Sequence, residues 1–292
     1  MMNKFNNYSK FLYGLSPAAL VTLIQDGPDA ARAVVRQTRK AAEKADHVHV
    51  MSYWDFARAF STPNHLVFDG GTWQDGCTAP LERFCMAQLI RFFSPRQLLE
   101  IGTFKGFTTC LMLDNAPDNA TVYTVDLPAE REQMNLTAAT DARLIHQTGL
   151  GSAYLRHLKH AQVSQILGDS FRAETWDNIP KMIEFAFIDA SHSYEAVKND
   201  TERVFKTATD DVVVAWHDYT DENSYERGIG KYIRELMRDR PDVFVIEGTT
   251  LAVRIPLHVL KRQAATVPSF YPAGDYFTRH PLGATPWLRT DP

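Results

Sequence analysis

The chain has 292 residues, 45% hydrophobic and 23% charged, with 31 Lys and Arg against 35 Asp and Glu and a net charge of −4. These are globular values in a chain long enough to bury a sizeable core, and without a basic excess they argue against a nucleic-acid backbone as partner, a local basic patch aside. No apolar run approaches the ~20 residues that span a bilayer. The three cysteines, Cys77, Cys85 and Cys110, are odd in number and outside metal-ligand spacing, and read as buried or incidental thiols of a reducing compartment.

From Lys4 to Ile24 two lysines stand near Phe11-Leu12-Tyr13-Gly14-Leu15, as in a secretory leader. Ser16-Pro17, a serine N-cap with proline at the first helical position, predicts instead a short helix through Leu20, Val21, Leu23 and Ile24, and a cytoplasmic location is expected. Pro28 to Ala45 predicts a second helix, whose Arg32, Arg36, Arg39, Lys40 and Lys44 form a solvated face or a surface for an anionic partner. Residues 47–79 combine turns (Pro63-Asn64, Asp69-Gly70-Gly71) with aromatics (Tyr53, Trp54, Phe56, Phe60, Phe68, Trp73) that either pack this extension on the core or wall a pocket.

A helix from Pro80, apolar at Leu81, Phe84, Cys85, Leu89 and Phe92, leads into Leu98-Leu99-Glu100-Ile101-Gly102-Thr103-Phe104-Lys105-Gly106. This reads as a buried strand, a tight Gly-x-x-x-Gly turn and a helix over Phe107 to Leu113; Gly102 permits a sharp turn or a close ligand, and Gly106 lets the helix start near the strand. The spacing is not the Gly-x-Gly-x-x-Gly of dinucleotide sites. A second strand, Val122 to Asp126, ends in an acid, and the interval from Gly102 is close to the ~20 residues that bring a carboxylate to a ribose, so a nucleoside ligand is predicted.

Beyond a polar, helical stretch to about His160 comes a third strand ending at Gly168-Asp169-Ser170. Glu184 to Ile188 is the fourth and runs into Asp189-Ala190-Ser191-His192-Ser193-Tyr194-Glu195; Asp211 to Trp216 is the fifth and ends in His217-Asp218. A helix over Gly228 to Arg238 and a hairpin about Gly248, Val243–Ile246 with Leu251–Ile255, complete the order. The tail from Pro256 holds six of the fifteen prolines, which exclude regular helix, and aromatics that wrap the domain, cover the pocket or pack on another subunit of a homo-oligomer.

With Glu-x-Gly-x-x-x-Gly at 100–106 and the acid at 126, the chain resembles the class I S-adenosylmethionine-dependent methyltransferases over residues 80–255. The resemblance implies an α/β fold: a Rossmann-like, doubly wound, seven-stranded, mostly parallel sheet with an antiparallel hairpin strand. Residues 1–79 would be a helical and looped extension, 80–255 the cofactor domain and 256–292 the tail. It also implies S-adenosylmethionine as cofactor: Glu100 and Thr108 near its methionine end, Gly102, Thr103 and Gly106 along its backbone path, Asp126 at the ribose, Asp169 and Ser170 at the adenine. A plain Gly-Asp-Ser turn is the alternative for Asp169.

In a parallel sheet ligands bind outside the carboxyl ends of the strands, so Asp189, His192, His217 and Asp218 converge if the fourth and fifth strands are neighbours; a helix N-cap at Asp189 or Ser191 and a turn at His217-Asp218 are the alternatives. Asp-x-x-His-x-Tyr at 189–194 and His-Asp at 217–218 are similar to signatures of small-molecule O-methyltransferases that include macrocin and mycinamicin O-methyltransferase-like and cephalosporin-biosynthesis enzymes. That subgroup implies methyl transfer to a hydroxyl of a small molecule in specialised metabolism, with His192 as base and Asp189, His217 and Asp218 as sites of a divalent metal, magnesium or another ion. His217 departs from an all-oxygen pattern, so either another divalent ion is used, or His217 stands behind the ligands, or no metal binds. An amine acceptor, a nicotinamide oxidoreductase and a non-catalytic cofactor-binding module are the rival readings.

Overall fold

Phe185 to Ile188 is a continuous apolar run and Leu98 to Ile101 is broken only by Glu100, and every residue of both is buried, as strands covered on both faces require. The computed structural model of the chain describes residues 49–63, 65–68, 76–128, 149–219 and 227–266. In it the elements run β1 (Val50–Met51), α1 (Tyr53–Ala59), α2 (Pro80–Phe93), β2 (Gln97–Ile101), α3 (Phe107–Asn115), β3 (Thr121–Asp126), β4 (Val163–Leu167), α4 (Ala173–Trp176) and β5 (Ile183–Ile188). Then follow α5 (Tyr194–Thr207), β6 (Ala208–Trp216), α6 (Arg227–Asp239), β7 (Val243–Ile246), β8 (Ala252–Arg254) and α7 (Leu257–Thr266). The helices expected at 16–24 and 28–45 lie outside the described residues.

One sheet has the order β1-β7-β8-β6-β5-β2-β3-β4, parallel except where β8 runs against β6 and β7. It is the doubly wound sheet that the sequence predicts, with eight strands in place of seven. The addition is β1, which pairs Val50 with Val245 and Met51 with Ile246, so the packed unit takes in residues before position 80. The chain builds outward from β2 through β3 to β4 and then returns to lay β5 on the other side of β2, which opens a crevice at the carboxyl ends of β2 and β5.

Local chemistry explains the element ends. Pro80 opens α2 and Glu82 accepts from the Ala79 N–H at 2.7 Å, while Ser94 closes the helix at φ 50. Ser193 caps α5 by accepting from Ala196 N at 3.2 Å. Phe56 of α1 and Phe60, which closes it, are fully buried, and the Phe60 ring meets Phe92 edge-on at 5.3 Å, so these two aromatics pack the extension onto the core. Trp54 stays 66% exposed.

Two expectations are corrected. Of the stretch expected to be helical up to about His160, residues 129–148 lie outside the described residues, and 149–162 hold turns and two short 3-10 segments, Tyr154–Arg156 and His160–Gln162, in place of an α-helix; Gly149 and Gly151 have φ of 99° and 66°, which interrupt helical geometry there. The tail is helical in its first part: α7 fits between Pro256, which precedes its first turn, and Pro268. Among the described residues no helix is long and apolar enough to cross a membrane.

Candidate functional site

Register sets the site. Ile101 pairs with Val125 on one side and Ile188 on the other, and Ile188 pairs with Trp216, so the next residue of each strand reaches the carboxyl edge in one row. Backbone bonds continue the sheet into that row: Gly102 N to Val125 O (2.8 Å), Gly168 N to Asp126 O (2.9 Å), Asp189 N to Ile101 O (2.8 Å) and His217 N to Ile188 O (3.1 Å). Adjacent members of such a row lie about 4.8 Å apart.

The glycine turn is shaped by protein packing. Gly102, Phe104 and Gly106 have φ of 101°, 45° and 81°, and the Phe104 N–H donates to Asp126 Oδ2 at 2.8 Å. A Cβ on Gly102 would overlap the backbone carbonyl of Asp189, and one on Gly106 would come within 2.7 Å of the Tyr154 ring. The side of Gly102 that a Cβ would occupy therefore holds the end of β5 and no ligand, and the turn is in direct contact with the residue that opens the acidic cluster.

The predicted cofactor residues fall into two sets. Glu100, Thr103 and Gly106 are buried, whereas Gly102, Thr108, Asp126, Asp169 and Ser170 are half-buried. Glu100 Oε2 accepts from Thr109 Oγ1 (2.5 Å) and Thr124 Oγ1 (2.7 Å), and its Oε1 is buried without a partner. The network continues from Thr124 Oγ1 to Thr103 Oγ1 (2.6 Å), which accepts from Gln165 Nε2 (3.0 Å); Gln165 Oε1 accepts from Tyr154 Oη (3.0 Å). Burial pushes the Glu100 carboxyl up to about 8, against the two threonine bonds and with the charges of Asp189 and Asp126 adding to it. Asp126 uses Oδ1 on Leu127 N (2.7 Å), and Asp169 Oδ1 accepts from Phe171 N at 2.9 Å in the turn offered as its alternative.

Asp189, His192, His217 and Asp218 converge. His192 Nε2 lies 2.7 Å from Asp218 Oδ2 and donates to it. Ligating atoms of Asp189, His192 and Asp218 all fall within 4.8 Å of one another. His217 is outside that group: its Nε2 donates to Glu82 Oε2 at 3.0 Å, and its Nδ1 is 3.2 Å from Asp189 Oδ1 and 3.3 Å from Asp218 Oδ1. Those last contacts are off the hydrogen-bonding direction, so they are electrostatic.

Burial works against a charged His217, but Asp189, Asp218 and Glu82 together raise the ring well above its ordinary range. Burial likewise raises Glu82 and Asp218. Hydrogen bonds and charge from His217, with donors from Thr250 and Ala79, bring Glu82 down to about 2; His192 and His217 hold Asp218 well below the carboxylate range. Asp189 moves the other way, because burial outweighs His217.

Sequence reasoning did not find Glu82, since a glutamate two places after a helix-opening proline is already explained by the helix end. Nor did it find Thr250, Thr109, Thr124, Gln165 or Tyr154, whose spacing carries no motif.

Among curated proteins there is no sequence match. Solved structures that resemble the chain include three methyltransferases. They are an O-methyltransferase from Bacillus cereus in complex with SAH (18% identity, 63% of this chain and 84% of that one, TM-score 0.46) and the SAM-bound O-methyltransferase TomG of Streptomyces achromogenes, involved in tomaymycin synthesis (18%, 74% and 89%, 0.41). The third is the SAH-bound methyltransferase PaMTH1 of Podospora anserina (13%, 77% and 96%, 0.45). None superposes closely enough for its ligand or substrate to be carried over. A sequence profile described as a methyltransferase domain matches residues 99–219, the span from β2 through the glycine turn and the 189–195 segment to His217-Asp218. Residues 99–219, somewhat less than half of the chain, are thus similar to a methyltransferase domain, in line with the resemblance that the motifs carry.

Proposed function

We propose that the chain transfers the methyl group of S-adenosylmethionine to a hydroxyl oxygen of a small acceptor, at the crevice between β2 and β5. The observation that carries this reading is the convergence of His192, Asp218 and Asp189 beside a glycine turn whose first residue packs on Asp189. A neutral alcohol is a poor nucleophile. With Nε2–H committed to Asp218, a neutral His192 carries its lone pair on Nδ1 and takes the hydroxyl proton there as the new O–C bond forms and the C–S bond breaks, leaving a thioether and an imidazolium that Asp218 stabilises. Asp126, at the end of β3, is the residue we assign to the ribose, and Asp169 with Ser170 to the adenine; Glu100 shapes the seat from beneath.

With His192 kept as the base, the two carboxylates of Asp189 and Asp218 would be the protein ligands of a divalent ion, an oxygen donor set that suits Mg2+ or Mn2+. Held by Asp189 and Asp218, such an ion would lower the pKa of the acceptor hydroxyl. His217, turned to Glu82, orients those carboxylates. The same reading makes the partner a small molecule of specialised metabolism, neither nucleic acid nor membrane. It puts the chain in the cytoplasm, where Cys77, Cys85 and Cys110 stay reduced, and keeps 80–255 as the cofactor domain between an extension and a tail, with a homo-oligomer as the assembly.

Calorimetric titration tests it: S-adenosylmethionine and S-adenosylhomocysteine bind and NAD does not, whereas a folded protein that ignores both sulfur compounds would end the proposal. His192→Ala is expected to keep cofactor binding and to lower turnover by roughly 10²–10⁴ once an acceptor is in hand. Turnover within about threefold of the parent retires His192 as the base.

A further inference from the structure

Asp218 stands at φ 58, in the left-handed region that L residues other than Asn and Asp largely avoid, and its surroundings hold it there. Both neighbours of Asp218 are tied to one side chain. On the amino side, His217 Nε2 donates to Glu82 Oε2 at 3.0 Å. On the carboxyl side, Tyr219 N donates to Thr250 O at 2.9 Å, and Thr250 in turn donates through N and Oγ1, each at 2.8 Å, to Glu82 Oε1. The contacts close a ring, Glu82–His217–Asp218–Tyr219–Thr250, anchored at the head of α2 by the Ala79 N–H.

Glu82 is 4% exposed and its two oxygens accept four donors from three separate stretches of chain. A helix end needs only one of them. The remaining three serve the turn that aims Asp218 Oδ2 at His192 Nε2.

We propose that Glu82 is a positioning residue of the transfer site: it holds His217 and Thr250 on either side of Asp218 and so fixes the Asp218–His192 pair. The role rests on the methyl-transfer reading for its purpose, but its geometry stands without it. A carboxylate is required, because an amide at this place presents one acceptor atom and one donor group where four donors arrive.

The test is the ¹⁵N spectrum of the imidazole rings in protein labelled at histidine, with S-adenosylhomocysteine titration as a separate measure of the cofactor seat. In Glu82→Gln both His217 and His192 are expected to move, since the loosened turn releases Asp218 from His192, while affinity for S-adenosylhomocysteine stays within about threefold and turnover, once measurable, falls about 10- to 100-fold. Thr250→Val removes the hydroxyl and keeps the turn, and it moves the same resonances in the same direction by less. Thr250→Ser restores them. This pair decides the matter if Glu82→Gln does not fold. His192 resonances that stay in place in folded Glu82→Gln, or in Thr250→Val where Glu82→Gln does not fold, overturn the proposal. Failure of the parent to bind S-adenosylhomocysteine would instead strike the methyl-transfer reading, and the histidine spectrum would still decide the part of Glu82.

Discussion

Glu100 carries an ionisable group to a place that is 1% exposed, with two threonine hydroxyls on one oxygen and nothing on the other. Its folded pKa of about 8 lies above the ordinary value near 4.3, so across that interval the folded protein binds a proton that the unfolded chain has released. The stability this group contributes is complete below pH ~4 and is lost as pH rises toward 8, at up to about 1.4 kcal/mol per pH unit. In Glu100→Gln that slope disappears. Urea unfolding of the cofactor-free protein between pH 5 and 8 measures it, and parallel pH dependences for parent and variant would contradict the assignment. The acid at 100 was legible as part of a ligand motif, but its burial was not, because the burying partners Thr109 and Thr124 come from α3 and β3 and only the register of β2 with β3 brings them over it. His217 is a similar case: the dipeptide at the end of β6 announced a site, and the turning of its ring to Glu82 depends on a helix 135 residues earlier.

The turn between β2 and α3 was read from two glycines, and the structure assigns them different strictness. Gly102 faces backbone, the carbonyl of Asp189 at the end of β5, which is pinned by its own bond to Ile101 O and cannot withdraw. Gly106 faces the ring of Tyr154, which can rotate. Both glycines have positive φ, so an alanine at either carries about 1–2 kcal/mol of backbone strain before any overlap. Gly102→Ala is therefore expected to cost more than about 3 kcal/mol and to displace Asp189 as well as the turn. Gly106→Ala costs less, and adding Tyr154→Ala to it removes the overlap but leaves the strain, so the double variant is more stable than the sum of the two single losses predicts. Denaturant curves for the three variants check the order; additive losses for Gly106→Ala and Tyr154→Ala would mean that the ring does not bear on the glycine.

At the scale of the molecule, topology does what the motifs alone do not. Element order along the chain was readable because buried parallel strands are continuous apolar runs and the turns are marked by glycine and acid, but pairing was not, since no local signal says that β5 returns to the far side of β2 or that Val50–Met51 adds a strand at the other edge. The matched domain span, 99–219, ends just after β6 and omits α2, β7 and β8, all of which the structure uses to finish the site and the sheet. β8 pairs Val214, Ala215 and Trp216 with Arg254, Val253 and Ala252, and Arg254 binds Asp242 Oδ2 at 2.7 Å and Val212 O at 2.6 Å, tying β6 to the hairpin. A chain ended at Asp239 leaves the buried β6 as an open edge, deprives Glu82 of both Thr250 donors and removes the partner of the Tyr219 N–H. Such a chain is expected to lose cooperative unfolding and to aggregate, although every residue of the matched span and every member of the Asp189, His192, Asp218 cluster is still present. A chain ended instead at Thr266 keeps the hairpin and α7 and should retain a single cooperative transition in urea. If the shorter chain unfolds cooperatively and binds S-adenosylhomocysteine as the longer one does, the hairpin is an ornament to the site and the ring through Glu82 and Thr250 does not hold Asp218.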